Sequence, residues 1–163
     1  MNDTKRTELV KQIKQAFKKE DFPGRKIGEK EELRDFLGKS WKEVTIDEIN
    51  GNWSFLFFND AGLRYYLQAY LIAILEHPDQ INSFVREAVL RELGYNPMSM
   101  DICQIFSKKQ RLVLLAFFEL YAELFPISIR SDFSAAQMAR IQKERDELHS
   151  QIEQAISYWQ SCI

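Results

Sequence analysis

Asp60, Arg64 and Gln68 recur at every fourth position, with Tyr65, Tyr66 and Tyr70 interleaved, Asn59 in front and Trp53 a few residues upstream. On a helix the first three stack in one row, a turn apart. A guanidinium between a carboxylate and an amide, framed by phenols, recognises a peptide or a small ligand through hydrogen bonds and ring contacts, Tyr and Arg being favoured interface anchors. The plainer reading of the same residues is a buried network that satisfies tyrosine hydroxyls and the start of a helix. Two functions compete on the binding side. One is a non-enzymatic binding or protein-interaction protein that uses Trp53 to Tyr70. The other is a small-molecule sensor or enzyme with a pocket at Arg64, Tyr65, Tyr66 and Tyr70. A concave pocket where these side chains converge favours the second, and a flat aromatic patch the first.

No other stretch offers catalytic chemistry. His77 and His149 are the two histidines, the groups that titrate near neutrality, and the sequence suggests an acid-base partner for neither. No His-Glu-x-x-His pair, Gly-rich phosphate loop or Gly-x-Ser-x-Gly elbow appears, so no catalytic residue, metal or cofactor is assigned. Cys103 and Cys162 are too far apart to read as a disulfide framework or a ligand set, and they read as reduced thiols. His77-Pro78-Asp79 is the tripeptide through which J-domain co-chaperones engage their chaperone partner. The segment before it, however, holds one Arg, no Lys and mostly apolar residues, where a J-domain presents a basic face. Pro78 ending one helix and Asp79 capping the next explains both residues.

These residues need a scaffold, and the pattern supplies helices. Residues 63–75 are apolar nearly all round, leaving Arg64 and Gln68 as a narrow polar stripe, so a central, enclosed helix is predicted there. An amphipathic helix is expected from about Thr4 to Lys19, closed by Pro23-Gly24, then a short helix with Leu33, Phe36 and Leu37 inward. Thr45-x-x-Glu48 and Ser107-x-x-Gln110 are capping boxes. Asn50-Gly51 alternatively allows a minor β-hairpin pairing 42–46 with 54–58. A helix capped by Asp79 should run through Leu93 to Gly94, and residues 95–105 should form a loop. A second core helix covers 112–124, and a last one, capped by Asp132 or Ser134, lies across the bundle. Met138, Ile141, Arg145, Leu148, Ile152, Ala155, Trp159 and Cys162 follow heptad spacing in that last helix, which admits a homodimer through it as well as packing within one chain. The fold class is therefore all-α: one domain over 1–163, a bundle of about six or seven helices.

The totals set limits. The 163 residues are 45% hydrophobic and 28% charged with a net charge of −2, the profile of one globular domain. Balanced charge argues against a nucleic-acid partner, which would require a basic patch. The apolar runs are shorter than the roughly 20 residues a membrane helix needs, and the first residues hold no apolar signal core. A cytoplasmic protein with no membrane partner is the expectation.

Ala16-Phe17, Pro23-Gly24, Trp41, the run Phe55-Leu56-Phe57-Phe58, the block Arg64-Tyr65-Tyr66-Leu67-Gln68-Ala69-Tyr70-Leu71 and Phe106-Ser107-x-x-Gln110 together resemble an uncharacterised family of short bacterial proteins, a domain of unknown function. The resembled pattern carries Pro where this chain has Gln68 and an acidic residue where it has Arg25. The resemblance implies a bacterial cytosolic protein and assigns no activity.

Overall fold

The computed structural model describes residues 2–29, 31–52, 57–95, 102–124 and 133–163. Seven α-helices and no β-strand occur among them. Helix α1 (Asn2–Ala16) buries Leu9, Val10 and Ile13, with Phe17 just beyond its end. It stops three residues short of the expected Lys19. The Glu20 amide turns back to the Phe17 carbonyl (3.0 Å), and the Glu20 carboxylate is drawn towards Arg64 and Gln110.

Residues 31–38 form consecutive turns where a short helix was expected. The bonds from Phe36 to Leu33 and from Lys39 to Phe36 are of the tighter i to i+3 kind, and the Tyr66 hydroxyl engages the Phe36 and Lys39 carbonyls. Leu33 and Phe36 still point inward and are fully buried. Ser40 caps a 3-10 turn at Trp41–Glu43, and the Thr45/Glu48 capping box starts α2 (Ile46–Gly51) as its spacing required. Residues 42–43, 46 and Asn50-Gly51 are thereby taken up in helical turns and Val44 and Thr45 in the caps between them, which excludes the hairpin alternative for that arm. Phe58 bridges Gly28 instead. A Cβ on Gly28 would collide with the Phe57 carbonyl oxygen, and one on Gly62 with that of Ile27, so glycine at both lets residues 27–29 lie against residues 57–62.

Helix α3 (Asp60–Glu76) starts on the Asn59 cap and ends at His77, before Pro78. Thirteen of its 17 residues are buried, as a helix apolar on all sides demands. It packs against α1 and the 3-10 turn, and α1 packs in turn against the helix Lys108–Leu124. Helix α4 (Ser83–Leu90) is capped by Asn82, three residues later than the Asp79 expected. Asn50 of α2 bonds the Asn82 amide (2.9 Å) and fixes the cap there. The helix then widens into a π-helical turn at Arg91–Tyr95, whose Leu93 carbonyl accepts from the Trp159 indole (2.7 Å).

Within the stretch read as a loop, Ile102–Ile105 form the short α5. The Ser107/Gln110 box opens α6 (Lys108–Leu124), and Ser134 caps α7 (Ala135–Ser161). Asp132, the alternative cap, lies outside the described residues. Helix α7 packs on α6 and on the π-turn through Ile152, Ala155 and Trp159. Its heptad positions therefore divide. Those three are core, Met138, Ile141 and Leu148 are half-buried, and Arg145 is exposed. No helix among the described residues is long and apolar enough to cross a membrane.

Candidate binding groove along the central helix

Because α3 is apolar on every side, its neighbours divide its surface between them. On one side lie residues 31–39 and Phe58. Tyr66 and Tyr70 face this side, fully buried, with Phe36 edge-on to Tyr66 (5.3 Å between centroids) and stacked on Tyr70 (6.1 Å). The Tyr66 hydroxyl lies 3.0 Å from the Phe36 carbonyl oxygen and 2.7 Å from that of Lys39, and the Tyr70 hydroxyl donates to the Asn52 carbonyl (2.7 Å). Burial pushes the Tyr66 phenol up to about 12 and holds Tyr70 well above its ordinary range. Both are neutral donors committed to backbone.

Arg64 turns the other way. Its Nε donates to a Glu20 carboxylate oxygen (3.3 Å), and the second Glu20 oxygen accepts from Gln110 Nε2 (2.6 Å). Gln110 also closes the α6 capping box by accepting from the Ser107 amide (2.8 Å). One carboxylate thus joins α3, the end of α1 and the start of α6. Asp60 stands exposed in the first turn of α3, where a negative charge suits the helix dipole. Trp53 lies outside the described residues. The expected row of Asp60, Arg64 and Gln68 is therefore spread over three environments. Arg64, Tyr66 and Tyr70 do not converge on one cavity.

Tyr65 and Gln68 do line a cavity. A groove of about 880 Å³ runs along α3, floored by Tyr65, Gln68, Ala69, Ile72 and Ala73 and walled by the end of α1 on one side and residues 40–49 on the other. Phe22, 48% exposed, tilts over the Tyr65 ring at 5.5 Å. Trp41 is half-buried in the opposite wall with Lys42 Nζ 5.7 Å from its ring centre. Lys18 and Lys42 stand exposed at the rim, and the Lys14–Glu76 pair (3.7 Å) bounds the far end. In the floor, Gln68 is 98% buried. Its Nε2 donates to the Tyr65 carbonyl (2.9 Å). Glu48, behind the Trp41 wall, is held below the usual carboxylate range. Burial would raise it, but the Lys39 ammonium and the Thr45 amide and hydroxyl outweigh that.

Phe22, Trp41, Ala69, Ile72 and Ala73 are not among the sequence-derived candidates. The signal available for two of them was their setting: Phe22 sits in a Pro-Gly turn and Trp41 directly after a helix cap, where a large ring has no amphipathic face to join. No group of three or more metal-ligating side chains occurs among the described residues. No curated protein and no solved structure matches this chain. A family model does match, over residues 5–163, and the chain belongs to the family of unknown function DUF6714.

Proposed function

We propose that this protein is a non-enzymatic interaction module that receives an amphipathic helical segment of another protein in the groove along α3. The observation that carries this reading is the groove floor. Tyr65, Ala69, Ile72 and Ala73 form an apolar strip interrupted only by Gln68, on a helix whose other sides are closed by the protein itself. From Tyr65 to Glu76 the groove follows twelve residues of α3, about 16 Å at 1.5 Å per step. That is three helical turns, the length over which a docked helix presents anchors at i, i+3 or i+4, and i+7. Ala69 and Ala73 make the floor low, and Phe22 and Trp41 offer aromatic walls of the kind that carry binding energy. Lys18 and Lys42 at the rim suit acidic residues flanking the apolar face of the partner. A bacterial, cytoplasmic setting accords with the composition and belongs to the same reading.

The test is selection from a displayed library of amphipathic helical peptides, followed by affinity measurements on the wild type, Phe22→Ala/Trp41→Ala and Lys18→Glu/Lys42→Glu. All four positions are exposed or half-exposed, so circular dichroism should show unchanged folding. The aromatic pair should cost about 10-fold or more in affinity. The charge reversal should weaken acidic peptides and flatten their salt dependence. Peptides that bind all three proteins equally would overturn the reading.

A further inference from the structure

Cys103 and Cys162 are the only cysteines of the chain, 59 positions apart, and the fold brings them to one place. Cys103 lies in α5, and its amide donates to the Tyr158 hydroxyl of α7 (3.3 Å). Tyr158 and Cys162 are one helical turn apart and share a face. The Cys103 thiol and the Tyr158 hydroxyl are among the neighbouring groups that act on the Cys162 thiol. Neither cysteine is sealed in the core: both are half-buried and both are free thiols. Around them Phe106, Tyr158 and Trp159 form a ring-to-ring wall (5.3 and 6.0 Å) that holds the end of α7 against α5.

We infer that Cys103 and Cys162 are an oxidant-sensitive dithiol, closed to an intramolecular disulfide by a hydroperoxide. One sulfur, as thiolate, attacks the peroxide oxygen. The O–O bond breaks, the leaving oxygen takes a proton, and a sulfenic acid forms. The second thiol then attacks that sulfur, the S–O bond breaks, and water departs with the proton. Two thiols and one hydrogen peroxide become one disulfide and two waters, the thiols oxidised and the peroxide reduced. Burial and the neighbouring Cys103 raise the Cys162 thiol, so less of it is thiolate at neutral pH and closure should quicken as pH rises. The product ties α5 to the end of α7 and closes a long loop, which constrains the unfolded chain.

Intact-mass analysis after titration with dilute hydrogen peroxide tests this on the wild-type chain. The expected product is a monomer lighter by two hydrogen atoms, with both thiols lost to maleimide labelling together. Closure should be at least about tenfold faster in native buffer than in denaturing guanidinium, because the fold supplies the effective concentration. The thermal midpoint should rise by roughly 5–15 °C on oxidation and return with a thiol reductant. Cys162→Ser should divert Cys103 to oxygen adducts with no such loss of mass. Two thiols that remain labelled, oxygen adducts or intermolecular dimers in the wild type, or closure no faster in the native state, would each overturn the inference.

Discussion

Replacing Tyr66 with Phe deletes one oxygen atom from a fully buried ring and leaves the ring's own packing against Phe36, Phe58 and Tyr65 in place. What is lost is the proton shared between the carbonyls of Phe36 and Lys39, at 3.0 and 2.7 Å. The Phe36 carbonyl already accepts from the Lys39 amide (3.1 Å), so it keeps a partner, while the Lys39 carbonyl is near enough to the surface for partial hydration. The cost should therefore sit towards the middle of the range for an unmade buried hydrogen bond, about 1–2 kcal/mol. In a domain of this size that lowers the thermal midpoint by roughly 3–8 °C. A second, independent signature comes from alkali. The folded phenol titrates at about 12 against an unfolded value of 10. The folded state thus favours the protonated form, and the stability this provides is complete below the unfolded value and lost as pH rises through the folded one. That difference corresponds to at most about 3 kcal/mol.

Urea unfolding followed by circular dichroism, with the wild type and Tyr66→Phe compared from about pH 8 to about 12, reads both effects. Tyr70, Tyr121 and Tyr158 are also raised by burial, so the wild type loses stability in alkali for several reasons, and the difference between the two proteins isolates Tyr66. The variant should unfold at lower urea with an unchanged slope, and the gap should narrow as pH climbs. Equal midpoints at neutral pH together with parallel alkaline curves would refute the assignment of Tyr66 to the α3 packing interface.

The Glu48 carboxylate, held low by Lys39 and Thr45, favours the ionised form in the folded state; its contribution is present above the unfolded carboxylate value and disappears as pH falls through the lower folded one. Thermal melts through that acid range should show the wild type losing a stabilisation that Glu48→Gln never had. On α7, Ile152→Glu places a charge at a core position only 3% exposed and should cost about 3 kcal/mol or more, whereas Met138→Glu with Ile141→Glu should stay within about 1 kcal/mol. Thermal unfolding checks that contrast. Light scattering of the second variant then reads whether the more exposed half of α7 joins two copies, a question that a change at Ile152 would confuse with unfolding.

Much of this architecture was legible one turn at a time. The capping boxes at Thr45 and Ser107 each depend on a side chain reaching an amide three residues on, so spacing alone specifies them, and Ser134 is one of the two caps expected for the last helix. The burial of α3 followed just as directly from its composition. Where the reading slipped, a distant group had intervened. Asn50 moved the α4 cap from Asp79 to Asn82, the Trp159 indole took the Leu93 carbonyl at the π-helical turn, and the Tyr66 hydroxyl took the Phe36 and Lys39 carbonyls at the end of residues 31–39.

The candidate site marks the same division. That α3 would be enclosed, and that Arg64, Gln68 and the tyrosines would lie on it, was already determined by residue type and order. Which of them met the groove was decided only in three dimensions. A helix apolar on all sides has no hydrophobic face to set its rotation, so the phase came from what packed around it. Glu20, 44 residues earlier, took Arg64, the carbonyls of Phe36, Lys39 and Asn52 took Tyr66 and Tyr70, and Tyr65 and Gln68 were left beneath Phe22 and Trp41.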